Sequence, residues 1–193
     1  MRGAAPTGRQ QAGGDPGGAS DLPAATTGAA TDGGGTTWRD PTAQERLAIL
    51  RRTQTVAVVG ASDNPSRASY FVATYLLSTS PYQVWFVNPR IREVLGHPVY
   101  PSLADLPGAP DLVDVFRSHD ALPGVLQESL DAGARTLWLQ LGLRHEQVAR
   151  DGHAAGLEVV MDRCLKIEHA RFHGGLHLAG FDTGVISSRR RHA

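Results

Sequence analysis

Five short apolar runs, at residues 55–59, 84–87, 112–116, 136–139 and 158–161, are each four or five residues long and rich in Val, Leu and aromatics. Runs that short and that apolar read as strands covered on both faces, the signature of a parallel sheet. Between them, residues 68–77, 121–130 and 145–155 carry helical spacing, for example Val125, Leu126 and Leu130, and read as crossover helices. Gly133 and Gly156 fall just past two of these helices, where a left-handed closing residue is wanted. Strand, helix, strand repeated in this way winds into a right-handed sheet with helices on both sides.

The expected fold is α/β, a Rossmann-like three-layer αβα sandwich with a five-stranded parallel sheet. An opening helix is expected where Asp40 and Pro41 precede Leu47, Ile49 and Leu50. The segment from Pro98 to Pro110 holds four prolines and is expected to be a loop with a short helical turn at residues 103–106. Up to about Thr37 the chain is almost entirely Gly, Ala, Thr, Pro, Asp and Gln, with Leu22 its only large aliphatic residue after Met1. Such a stretch cannot bury enough apolar surface to offset its ordering entropy, so residues 1–37 are expected to be a disordered tail. The folded domain is expected over residues 41–188, followed by a basic tail at 189–193 that includes Arg189, Arg190 and Arg191.

A chain of 193 residues that is 41% hydrophobic can bury one good core, consistent with one domain plus tails. Lys and Arg balance Asp and Glu at zero formal net charge, which removes the broad field that nonspecific nucleic-acid or membrane binding relies on. Anion binding must then be local. With Cys164 as the single cysteine, nothing implies an oxidising compartment, and no apolar run approaches the roughly 20 residues that span a bilayer. The N-terminus lacks the apolar core of a secretory signal, so a soluble, cytoplasmic protein is expected.

In open sheets of this kind, ligands sit beyond the carboxyl ends of the strands, near the point where strand order reverses. The tips here are Gly60-Ala61-Ser62, Asn88-Pro89-Arg90, Phe116-Arg117, Gln140-Leu141-Gly142 and Arg163-Cys164. At the first, a hydrophobic strand ends in Gly60 and runs through small polar residues into a helix. Backbone amides at that helix start, with the hydroxyls of Ser62 and Ser66, suit a pyrophosphate. The dinucleotide fingerprint is incomplete, because Ser62 and Pro65 stand where further glycines belong. A plainer reading makes this an ordinary strand-to-helix turn with Ser66 as the helix cap. At the second tip, an NAD site places Asp or Glu to grip the ribose hydroxyls. Asn88-Pro89-Arg90 supplies none, and Arg90 with Arg92 favours an additional phosphate, either the 2′-phosphate of NADP or the 3′-phosphate of coenzyme A. The alternative there is a solvated basic loop.

The strings VAVVGAS, FVNPR, DVFR, LWLQLG and VMDRCLKIEHAR, in that order and spacing, resemble the stand-alone CoA-binding-domain proteins. That family is similar in fold to the N-terminal domain of the succinyl-CoA synthetase alpha subunit and of ADP-forming acyl-CoA synthetases. The resemblance runs from about residue 43 onward and includes Asp182-Thr183-Gly184-Val185-Ile186-Ser187-Ser188-Arg189. It implies coenzyme A lying across the strand tips. Gly60, Ala61, Ser62, Ser66 and Arg67 would meet the phosphates, and Val87, Asn88, Pro89 and Arg90 would flank the adenosine and its 3′-phosphate. Phe116 and Arg117 would close over the middle. Gln140, Leu141 and Gly142 would line the path of the pantetheine arm, with Cys164 and Lys166 also in the site. The second module and phosphorylated histidine of the synthetases are missing, so ligase activity is not expected of this chain alone.

Cys164 lies between Arg163 and Lys166, where cationic neighbours would lower a thiol pKa, and it could pair with the CoA thiol as a mixed disulfide. The plainer reading is a small residue packed at the crevice mouth, since no base is placed beside it in sequence. His169, His173 and His177 recur every four residues, as metal ligands on a helix do, but Gly174-Gly175 interrupts that helix and no metal is expected. Asp162, Lys166 and Glu168 are expected to form a local ion-pair network. The leading functional expectation is a non-catalytic carrier, sensor or regulatory module for coenzyme A or an acyl-CoA, acting through a protein partner or a second copy of itself. The alternative is an enzyme, either an NADP-dependent oxidoreductase or a CoA-thioester enzyme using Cys164.

Overall fold

The computed structural model describes residues 37–173. The low-complexity stretch before Thr37, His177, the motif from Asp182 to Arg189 and the basic tail lie outside the described residues. The elements run α1 (Ala43–Arg52), β1 (Thr55–Val59), α2 (Ala68–Thr79), β2 (Gln83–Val87), β3 (Glu93–Val94), β4 (His97–Tyr100), β5 (Leu112–Val115), α3 (Leu122–Asp131), β6 (Thr136–Leu139), α4 (Glu146–Ala154), β7 (Glu158–Val160) and α5 (Leu165–His173). They build a seven-stranded sheet in the order β3-β4-β2-β1-β5-β6-β7. Every pairing is parallel except the antiparallel β3–β4 hairpin.

The period-two alternation of each strand divides the core into two. Val56 and Val58 of β1 face one side, where Ile49 and Leu50 of α1, Val72 and Leu76 of α2 and Leu165 and Phe172 of α5 close over them. Ala57 and Val59 face the other, against Leu122 and Val125 of α3 and Val148 and Ala149 of α4. The result is the expected three-layer Rossmann-like sandwich. β1, β5 and β6 are covered on both faces, which is why their sequences read as unbroken apolar runs.

The expected count of five strands becomes seven. The additions, β3 and β4, fall around and inside the proline-rich segment assigned to a loop. Only Val99 and Tyr100 of β4 pair with β2, opposite Phe86 and Val87, so Pro98 sits outside that ladder and its missing N–H costs nothing there. The hairpin turns through Leu95 and Gly96, both at positive φ (52° and 78°), without the Asn-Gly or Asp-Gly signal that usually announces such a turn. The helical turn at 103–106 is present as a short 3-10 segment, Leu103–Asp105.

α1 starts at Ala43, two residues later than the Asp40-Pro41 pair suggests. Thr42 is its N-cap, and the Thr42 hydroxyl and Glu45 carboxylate close a capping box. A buried ion pair, Arg46 to Glu168 at 2.8 Å, ties α1 to α5. Nearby, His169 is buried among Tyr75, Tyr82 and His173, with its Nδ1 3.0 Å from the Tyr75 hydroxyl. Burial lowers its pKa to about 4, so it is a neutral core residue at ordinary pH. Among the described residues no helix is long and apolar enough to cross a membrane.

Candidate functional site

Strand order reverses between β1 and β5, because the chain leaves β1 toward β2 and later returns to β1's other side. The connections after β1 and β5 therefore diverge and leave a crevice. A cleft of about 700 Å³ opens there, and from the tip of β2 to the tip of β7 it crosses four strand spacings, roughly 19 Å.

Its narrowest constraint is Gly60. The residue has φ +85°, and a Cβ built on it would lie 2.2 Å from the Phe116 carbonyl oxygen and 2.9 Å from the carbonyl carbon. Gly60 thus lets the end of β5 pass against the end of β1. Its amide and that of Ala61 donate to the Val87 carbonyl at 2.9 and 3.3 Å, so these two amides belong to the sheet and are not available to an anion. The rest of the turn is knit internally. Asn64 N–H donates to Ser62 Oγ at 3.1 Å, and Ser66 N–H donates to Asn64 Oδ1 at 2.9 Å. The plainer reading of Ser66 as helix cap is not realised, since the N-cap of α2 is Arg67, with no side-chain cap bond and no acidic residue in the first turn. The positive end of α2 therefore faces the cleft uncompensated.

Asn88 is held by the turn it faces, its Nδ2 donating to the Ala61 carbonyl at 2.7 Å and its Oδ1 accepting from Arg90 N–H at 2.9 Å. Arg67, Arg90 and Arg117 are exposed along the cleft, and among the described residues none of them is ion-paired. At the other end lie Gln140, Leu141, Cys164 and Ile167. The two large hydrophobic side chains exposed among the described residues, Phe71 at 59% and Leu141 at 47%, both border this cleft.

Of the residues singled out in sequence, Gly60, Ala61, Ser62, Arg67, Asn88, Arg90, Phe116, Arg117, Gln140, Leu141 and Cys164 meet around this one cleft. Val87 and Pro89 line an adjoining recess of about 350 Å³ on the far side of Gly60, which also takes in Arg117. Gly142 stands outside, its amide donating to Asp162 Oδ1 at 2.7 Å. Lys166 places its Nζ 3.8 Å above the Phe71 ring. The expected network of Asp162, Lys166 and Glu168 does not form, because the three go to different partners: Gly142, Phe71 and Arg46 respectively.

Two groups at the β5–β7 end carry unusual electrostatics. Asp114, inside β5, is wholly buried; its Oδ1 accepts from Gln140 Nε2 at 2.6 Å, while among the described residues its Oδ2 has no hydrogen-bond partner. Burial pushes its pKa up to about 8, only partly offset by the Gln140 bond. The Cys164 thiol is also raised, chiefly by burial and further by Asp114, against the lowering pull of the Ile167 and Lys166 amides and the Lys166 charge. The expectation of a thiol lowered by its cationic neighbours is therefore overturned. Sequence reasoning assigned no role to Asp114, although a carboxylate inside the apolar run at 112–116 had to be buried. Among the described residues no cluster of His, Cys, Asp and Glu could hold a metal ion.

The sequence profile of the family described as the CoA binding domain matches residues 54–170. The chain belongs to this family. The protein YneT of Bacillus subtilis is 39% identical over 132 residues, which is 68% of this chain and 97% of YneT. A solved hypothetical protein of Pyrococcus horikoshii superposes with a TM-score of 0.66 at 34% identity, covering 71% of this chain and 98% of its own. The ADP-forming acetate-CoA ligase I of Archaeoglobus fulgidus is 26% identical over 120 residues, 57% of this chain but 17% of the ligase. What the family member shares with that ligase is thus one part of a much larger enzyme.

Proposed function

We propose that the protein binds coenzyme A, free or as an acyl thioester, in the cleft across the strand tips, and serves as a carrier or regulatory module for it. The observation that carries this reading is the polarity of the cleft. Arg67 and Arg90, at the β1 and β2 tips, and Arg117 at the β5 tip have no carboxylate partners among the described residues, and the β6–β7 end is lined by Leu141, Leu143, Ile167 and Cys164. A polyanionic nucleotide with a long, weakly polar arm ending in sulfur matches that gradient. Pyrophosphate would meet the uncapped start of α2 with Arg67, Ser62 and Ser66. The adenosine would settle at the recess beside Val87 and Pro89, with Arg90 on its 3′-phosphate. The arm would then pass Phe116 and Arg117 toward Gln140 and Leu141, with Gly142 and Lys166 on its rim.

Isothermal titration tests this directly. Coenzyme A is expected to bind more tightly than NADP or NAD, and NADP binding without coenzyme A binding would overturn the proposal. Arg90→Ala is expected to weaken coenzyme A about tenfold or more, the worth of a charge-assisted hydrogen bond, and to leave dephospho-CoA nearly unchanged. Equal losses for both ligands would remove Arg90 from the 3′-phosphate.

A further inference from the structure

Phe71 and Leu141, the two large hydrophobic side chains that the described residues leave exposed, are far apart in sequence yet border one cleft. A single exposed leucine needs no explanation, but two such side chains on one ligand crevice mark a surface that something apolar covers. Helix α5 fixes their place along the cleft. Lys166 holds its Nζ 3.8 Å above the Phe71 ring and 5.6 Å from the centre of the Tyr75 ring, so α2 carries Phe71 to the α5 end. The residue after Lys166, Ile167, lines the cleft there, and Leu141 reaches the same end from the tip of β6. The length of the coenzyme decides which part of it arrives at that end. From the tip of β1, where the chain turns toward α2, the sheet order crosses β5 and β6 to reach β7, three strand spacings or about 14 Å. The pantetheine arm, at the reach per bond of an extended chain, spans about 14 Å from its phosphate to its sulfur. With the pyrophosphate at the start of α2, the arm is used up on reaching the tip of β7. The apolar lip is then left for whatever the sulfur carries.

We infer that Phe71, Leu141 and Ile167 form a subsite for the hydrocarbon chain of a CoA thioester, so that the preferred ligand is an apolar acyl-CoA and not the free coenzyme. The inference rests on the CoA reading above and adds the class of acyl group. Two features of the lip set that class. Its side chains offer carbon surface and no hydrogen-bonding group, so each methylene laid on them leaves water at a gain and strands nothing polar. Lys166, a cation at this end, is already seated on the Phe71 and Tyr75 rings. A chain ending in a carboxylate would have to draw the ammonium off that seat, whereas a hydrocarbon chain leaves it in place. The cations that face the cleft itself, Arg67, Arg90 and Arg117, belong to the β1, β2 and β5 tips, on the side of the phosphates.

The test titrates the full chain calorimetrically with coenzyme A and with its acetyl, butyryl, hexanoyl and succinyl thioesters. A methylene wholly withdrawn from water is worth about fourfold in affinity, and one half covered on an open lip about twofold, so hexanoyl-CoA is expected to bind about fifteenfold tighter than acetyl-CoA. Phe71→Ala and Leu141→Ala, both at exposed positions where truncation is tolerated, are each expected to cut that ratio to about fivefold or less. A ratio that both variants leave intact takes these residues out of the subsite and overturns the inference. Succinyl-CoA, which has the carbon count of the butyryl thioester but ends in a carboxylate, is expected to bind more weakly than butyryl-CoA; tighter binding overturns the apolar class. Affinities that stay flat or fall as the chain lengthens overturn the acyl subsite and leave the CoA reading standing. Failure of every one of these ligands to bind overturns both.

Discussion

Asp111 and Asp114 are three positions apart, the first ahead of a strand and the second inside it, and the protein treats them in opposite ways. Asp111, just ahead of β5, has Oδ2 accepting from the amides of Gln54 and Thr55 at 2.9 and 3.0 Å and from the Thr55 hydroxyl at 3.2 Å. Its own amide donates back to Thr55 Oγ1 at 2.8 Å. Burial would raise its pKa, but these bonds and Arg135 outweigh burial and hold it below the usual carboxylate range. Asp114 has one such bond, none on its second oxygen, and a raised pKa. A carboxylate that fastens β1 to β5 is fully bonded, whereas the one beneath the cleft is kept short of partners. The amino ends of the strands are thus built to be stable, and the carboxyl ends retain unspent polar capacity, the usual mark of a working site.

The sharpest challenge to this contrast is whether the carboxyl end is merely loose. Gly60→Ala answers it, because the new methyl group would collide with the Phe116 carbonyl at a backbone angle that L-residues avoid. We expect a loss of about 3 kcal/mol or more by urea unfolding, from overpacking and strain together. A cost near zero would mean that the strand tips yield, and the cleft would lose its claim to be preformed. At the other end, Asp111→Ala is expected to cost about 2 kcal/mol, since it strands two backbone amides. The pH dependence follows from the lowered pKa. Folded Asp111 binds fewer protons than the unfolded chain, so its contribution is complete above the unfolded value of about 3.9 and fades as pH falls through the folded one. Asp111→Ala should flatten that acid limb.

What the sequence revealed divides along the same line. The five long-range strands and the crossover helices were legible because burial on both faces writes itself as apolar runs, and Gly133 and Gly156 marked helix ends through their positive φ of 71° and 91°. β3 and β4 were not, since two- and four-residue strands carry no period and Pro98 argues against pairing until the register shows it outside the β2 ladder. Within the cleft, the tips were legible as tips. That the Gly60 and Ala61 amides are spent on Val87 depends on how β2 lies beside β1, which is tertiary information. So is the cation-π seat of Lys166 on Phe71. Local spacing had instead grouped Lys166 with Asp162 and Glu168, the neighbours it does not use.

The finest discrimination between the two aspartates comes from Asp114→Asn, a change of one atom. Between the unfolded pKa of about 3.9 and the folded value of about 8, the unfolded chain has lost this proton while the folded protein keeps it. The folded state then binds more protons, so stability falls as pH rises through that window and is level on either side of it. Asparagine titrates in neither state and removes the slope. The variant should therefore gain on the wild type steadily from pH 4 to pH 8, at a slope of up to about 1.4 kcal/mol per pH unit, because the folded protein's extra proton on an uncompensated buried carboxyl is replaced by a neutral amide. Urea unfolding at three pH values measures this, and the sign is opposite to that for Asp111→Ala over the acid range. If the Asp114→Asn difference were constant with pH, Asp114 would titrate alike in the folded and unfolded chain.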